Sequence, residues 1–143
     1  MEQLFFVGGD AQIKATKQVT GPLRITLAQY RNLAAFAQFA SDLDKATQKQ
    51  LSRGERMMRI LRQGQYVPFR IGKTILIVYA GMNGYTDDVA VAKIAAYEEQ
   101  LFQFIDAKYP ALIDTIEKEK KLDDKLTAEV KKALEEFGKT FAA

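Results

Sequence analysis

Apolar side chains recur every three or four positions along nearly the whole chain, and no stretch alternates apolar with polar long enough to make a half-buried strand. That spacing predicts an all-α fold, a compact helical bundle of about six to seven helices. Leu23, Leu27, Tyr30, Leu33, Ala34 and Ala37 step by threes and fours between the Gly21-Pro22 breaker and Ser41, a core-facing helix of about four to five turns. Asp44 is placed to cap the next helix, with Leu51, Met58 and Leu61 on its buried side and Gly64 at its expected left-handed end. Residues Ile71 to Gly81 are almost wholly apolar and rich in β-branched residues, a pattern a buried strand shares. With no second strand to pair it, the segment reads as a buried central helix stopped at Asn83-Gly84. Asp88 precedes an amphipathic helix bearing Val91, Ile94, Ala95, Leu101, Phe102 and Ile105, and Pro110 opens a short one with Leu112, Ile113 and Ile116. Asp123 or Asp124 caps the last helix, which turns Leu126, Val130, Leu134 and Phe137 inward.

A length of 143 residues is enough to bury one core without disulfide or metal staples. The sequence contains neither cysteine nor histidine, which removes thiol chemistry, Cys/His zinc sites and every histidine base. The apolar run Leu4-Phe5-Phe6-Val7 is too short for a signal sequence, and Ile75 to Met82 falls far short of a membrane span, so a soluble protein is expected. Residues 1–75 carry a net charge of +7 and residues 76–143 a net charge of −4. Lys45, Lys49, Arg53 and Arg56 stack along one helix face, with Arg59 and Arg62 continuing the row. No aromatic residues interleave these cations, so the row reads as a solvated face or an ion-paired interface with an acidic partner, and not as a nucleic-acid surface.

Gly72-Lys73-Thr74 lacks the glycine a phosphate-binding loop needs five residues earlier, where Val67 stands, and is read as an ordinary helix start. Gly8-Gly9 likewise lacks the third glycine of a dinucleotide fingerprint. The carboxylate pairs Asp42/Asp44, Asp87/Asp88 and Asp123/Asp124 each sit just before a helix, where capping explains them better than a metal site. No nucleophile or base stands at readable spacing from any pair, so neither catalytic nor metal-ligating residues are assigned.

The segments Leu27-Ala28-Gln29-Tyr30-Arg31-Asn32-Leu33 and Ala35-Phe36-Ala37-Gln38-Phe39-Ala40-Ser41-Asp42-Leu43-Asp44-Lys45-Ala46-Thr47 carry a resemblance. Both are similar almost residue for residue to the start of the C-terminal domain of the F-type ATP synthase alpha subunit. Val7 to Lys14, Gln63-Gly64-Gln65-Tyr66-Val67-Pro68, Tyr79-Ala80-Gly81, Asn83-Gly84-Tyr85-Thr86-Asp87 and Ile94 to Glu98 keep the family pattern in order. The resemblance covers residues 7–143 and is looser in the last two helices.

The resemblance implies a leader outside the family at 1–6, a remnant helix and link from a nucleotide-binding domain at 7–22, and the helical bundle at 23–143. It further implies a structural role, as the membrane-facing collar of an alternating alpha/beta hexamer around a rotating shaft. Beta and gamma subunits are then the partners, and the location is peripheral, on the cytoplasmic face of an energy-transducing membrane or the equivalent organelle side. Phe39, Ala40, Ser41, Asp42, Leu43 and Asp44 correspond to a rotor-facing loop. Gln63 and Gln65 match positions bordering the adenine of a nucleotide bound non-catalytically, an edge that amides can recognise. MgATP belongs to the full-length subunit, and no cofactor is expected for this chain alone. Phe6 stands where the family carries an arginine that stabilises phosphoryl transfer in a neighbouring site, a role no neutral ring can fill. The expected outcome is a domain with no catalysis of its own. The alternative is an isolated or engineered helical binding module, self-associating through Leu4-Phe5-Phe6.

Overall fold

The computed structural model describes residues 14–37, 44–66, 71–119 and 121–141. Among them stand six α-helices, one 3-10 turn and no strand, the all-α bundle that the apolar spacing predicts. Helix α1 (Lys14–Ala37) buries Leu23 and Leu27 against α2 (Lys45–Tyr66) and α3 (Ile71–Met82). It does not begin after Gly21-Pro22 as expected but runs straight through both residues. Pro22 has no N–H to give the Gln18 carbonyl, a defect that costs about 3 kcal/mol in a helix interior. A tertiary contact holds the helix at that turn. The Gln18 side-chain amide donates to the Leu122 carbonyl at 3.2 Å and accepts from the Leu122 N–H at 2.8 Å.

Helix α3 is the centre of the bundle, with Ile75, Leu76, Ile77, Val78 and Ala80 each no more than 1% exposed. A helix apolar on every side is stable only when neighbours cover every side. Here α1, α2 and α5 (Leu112–Glu119) do so, which is why the β-branched run is a helix and not a strand. Its N-terminus is closed from outside, the Gly72 N–H donating to Glu117 Oε1 at 3.1 Å. A Cβ at Gly72 would lie 2.9 Å from the Ile113 side chain and carbonyl, so only glycine permits this approach of α3 to α5. The C-terminus stops where expected. Gly84 adopts φ 86°, the Tyr85 N–H reaches the Ala80 carbonyl at 3.0 Å, and the Gly84 N–H reaches the Gly81 carbonyl at 3.5 Å, the pattern of a Schellman stop.

Helix α4 (Ile94–Lys108) follows the 3-10 turn Val91–Lys93 and packs against α2 and α6 (Asp124–Thr140). Its start differs from expectation, because neither Asp87 nor Asp88 caps it and its first residues follow the 3-10 turn without a side-chain cap. Asp123 does cap α6, accepting from the Leu126 N–H at 2.8 Å. Leu126, Val130, Leu134 and Phe137 face inward as predicted. Phe137 sits among Tyr97, Phe104 and Phe141, with ring centroids 5.2 to 5.5 Å away.

Candidate functional site

The residues singled out for function fall on α2, on the segment before it and on the loop at 83–90 that packs beside it. In α2 the buried stripe is Arg56, Met57, Ile60 and Leu61, whereas Leu51 and Met58, expected inward, are only half-buried. The helix also continues through Gly64, the expected stop, to Tyr66. Two arginines on this side of the helix reach the 83–90 loop. Arg53 grips the Asp87 carboxylate with both Nη2 (2.6 Å) and Nε (3.2 Å). Arg56 is buried, donating from Nε to the Val89 carbonyl at 2.7 Å and from Nη1 to the Ser52 carbonyl at 3.0 Å and to the Ser52 hydroxyl.

The basic row is therefore divided, and the expectation of one solvated or partner-facing stripe is corrected. Lys45, Lys49 and Arg59 remain exposed, while Arg53 and Arg56 act as internal braces that fasten the 83–90 loop to α2. Burial lowers the dielectric around such charge-assisted bonds and strengthens them, which is why the guanidiniums and not the lysines carry this work. The Asp87 carboxylate is likewise an ion-pair partner and not a cap. The Arg53 side chain is held more firmly protonated by its bond to Asp87, against the opposing effect of partial burial.

Of the six residues assigned to a rotor-facing loop, Phe39, Ala40, Ser41, Asp42 and Leu43 lie outside the described residues, and so does the Asp42 member of its carboxylate pair. Asp44 is exposed and caps α2 as predicted, Oδ1 accepting from the Thr47 N–H at 3.0 Å. The hydrogen bonds from the Thr47 side chain and backbone hold its carboxyl below the usual range. Immediately before that loop, Phe36 is 61% exposed at the end of α1, and Ile25, three turns earlier on the same face, is 63% exposed. Gln63 and Gln65 belong to the last turns of α2, and their side chains lie outside the described residues. Residues 1–13, with Phe6, Gly8 and Gly9, also lie outside them, as does Val67.

Gly72-Lys73-Thr74 is a helix start, as expected. Lys73 pairs with Asp106 at 3.1 Å and lies 5.4 Å above the Phe102 ring, while Thr74 is buried. Among the described residues no group of three or more carboxylates gathers in a metal-binding arrangement. A recess of about 300 Å³ opens between α1, α3 and the start of α6, bordered by Gln18, Pro22, Tyr79, Met82 and Asn83. None of the described helices is long and apolar enough to cross a membrane.

One polar residue escaped the sequence reading. Glu98 on α4 is 3% exposed, its Oε1 has no hydrogen-bond partner among the described residues, and burial pushes its carboxyl up to about 8. The signal was present: Ile94, Glu98, Leu101 and Ile105 share one helical face, and three of the four are fully buried apolar residues.

Known proteins carry the same arrangement of sequence. The family model described as ATP synthase alpha/beta chain, C terminal domain, matches residues 12–137. ATP synthase subunit alpha of Helicobacter acinonychis (strain Sheeba) is 55% identical over 136 residues, covering 95% of this chain and 27% of that protein. The subunit alpha of Helicobacter pylori (strain G27) is 54% identical and that of Sulfurovum sp. (strain NBC37-1) 52% identical over the same length and shares. The chain spans about a quarter of the length of these curated relatives.

Proposed function

This protein belongs to the family of C-terminal domains of ATP synthase alpha and beta subunits, and from that premise we propose that its work is mechanical, as a collar domain of an alpha subunit. In this reading it contributes contacts within an alternating alpha/beta hexamer and part of the surface that meets a rotating central shaft. Beta and gamma subunits are its partners, and it sits peripherally at the cytoplasmic face of an energy-transducing membrane or the equivalent organelle side.

The observation that carries the proposal is the match to alpha subunits, 55% identical, across 95% of the chain. Six of the described charged residues support it, because Asp44, Asp123, Arg53, Asp87, Arg56 and Lys73 are engaged in caps, braces and ion pairs within the bundle. Exposed Ile25 and Phe36 also support it, since large apolar side chains on one helix face are the kind of surface an assembly covers. Phe36 leads directly into Phe39 to Asp44, the segment we assign to the shaft.

Retention of the purified protein by beta subunits, alone and with gamma, tests the assignment. Binding weakened by Phe36→Ser and Ile25→Ser is expected, and no retention on any alpha/beta assembly would refute the collar role. Gln63 and Gln65 are proposed as half of an adenine border, completed in the relatives' length that this chain does not span. Calorimetric titration with MgATP is expected to give no saturable heat; saturable binding lost in Gln63→Ala and Gln65→Ala would reopen a nucleotide-dependent function for the protein itself.

A further inference from the structure

Glu98 lies in the middle of the buried face of α4, between Ile94 one turn before it and Leu101 one turn after it, both 0% exposed. Helix α4 packs against α2, the 3-10 turn and α6. Among the described residues the charged groups these elements bring are already engaged or turned outward, and Lys73 of α3, which reaches α4 over the Phe102 ring, is paired with Asp106. From α2, Arg53 holds Asp87 and Arg56 holds the Val89 and Ser52 carbonyls, while Glu55 and Arg59 are exposed. Lys93 of the 3-10 turn is exposed. The inner face of α6 is Leu126, Val130, Ala133, Leu134 and Phe137, and its Glu136 pairs with Lys108 at 3.2 Å. Tyr97 on α4 and Tyr85 in the preceding loop are also titratable, and burial raises both phenols above their ordinary value. Among the described residues no cation forms an ion pair with Glu98, and Oε1 receives no donor.

A carboxylate in such a place would be a buried charge with nothing to compensate it, the costliest state a polar group can occupy in a core. A neutral carboxylic acid escapes the charge part of that penalty and costs far less to bury. We propose that Glu98 is a proton-operated latch of the bundle, which closes α4 around the protonated acid and loosens when that proton leaves. A second buried oxygen without a partner among the described residues, Thr86 Oγ1, lies in the 83–90 loop that the two arginines strap to α2. Opening of α4 and this loop gives both oxygens access to water.

The direction of the pH dependence follows from the burial. The folded carboxyl titrates at about 8 against an ordinary value of 4.5, so the folded state binds the proton more tightly than the unfolded state. Stability is then full below the unfolded value, falls as pH rises between the two, and levels off above the folded one. The gap between them sets an upper bound on the order of a thousandfold in the unfolding constant.

Urea unfolding of the whole protein at intervals from about pH 5 to about pH 9 reads this out, with Glu98→Gln alongside as the isosteric group that cannot ionise. The wild-type midpoint is expected to fall across the range while that of the variant stays level, and hydrogen exchange in α4 is expected to quicken with pH only in the wild type. Parallel midpoint curves for the two proteins would overturn the proposal. Should Glu98→Gln fail to fold, infrared titration of the wild type decides. A protonated-carboxyl band that persists at neutral pH and disappears near pH 8 supports the latch, and complete ionisation by about pH 6 overturns it.

Discussion

Replacing Phe137 by alanine is expected to detach the last helix from the bundle. The side chain is 3% exposed and is the hub of an aromatic cluster, edge-on to Tyr97 at 5.2 Å and tilted against Phe104 and Phe141 at 5.5 Å each. Truncating a buried phenylalanine costs about 3–5 kcal/mol through lost transfer energy and the cavity left behind. Ring pairs add about 0.5–1.5 kcal/mol each beyond burial, which places this position toward the upper end. With a urea slope of about 1.5–2 kcal/mol/M for a domain of this size, the midpoint is expected to fall by about 2–3 M. The protein has no tryptophan, so far-ultraviolet circular dichroism is the practical probe, with hydrogen exchange to separate loss of α6 from global unfolding. Phe137→Leu keeps most of the volume and is expected to cost no more than about half as much. A loss below about 1 kcal/mol in Phe137→Ala, with exchange in α6 unchanged, would refute the assignment of this cluster as the anchor of the helix.

Three further perturbations probe the devices that shape the bundle. A double-mutant cycle on Arg53→Ala and Asp87→Ala is expected to yield a coupling of about 1 kcal/mol, above a typical surface pair because the contact is two-pronged and part-buried; additive single effects would refute the brace. Asp123→Ala is expected to cost about 1 kcal/mol, with faster hydrogen exchange at the Leu126 amide, and unchanged exchange there would show that the cap does not hold the first turn. Gly72→Ala forces a Cβ to within 2.9 Å of the Ile113 side chain and backbone, so a loss of about 1–3 kcal/mol in urea unfolding is expected, and a neutral or stabilised variant would contradict the close packing of α3 on α5.

The bundle was legible where a local rule and the tertiary structure agree. The Gly84 stop, the caps at Asp44 and Asp123 and the inward stripe of α6 each depend on neighbours within about one or two turns, and each stands where expected. The candidate site was harder to read because its residue types have more than one use. An aspartate before a helix can cap it or meet an arginine from elsewhere, and at Asp87 the arginine prevailed because α2 lies alongside the loop. A row of cations at helical spacing describes one helix only, and nothing within that row marks Arg53 and Arg56 as the two drawn inward.

Apolar period and caps determined by themselves that this protein is an all-α bundle, and the residue pattern carried its resemblance to the ATP synthase alpha C-terminal domain. Only the tertiary structure decided three matters: that α1 survives Pro22, that Arg53 and Arg56 serve as braces, and that Glu98 is sealed in the core without a counter-charge among the described residues. The physical reason is common to all three. Each outcome is set by a partner far along the sequence, Leu122 for the turn before the proline, Asp87 and Val89 for the arginines, and the helices packed on α4 for the carboxyl. Local propensity covers a turn or two of helix, whereas the free energy of a buried bond or a buried acid depends on what the completed fold brings against it.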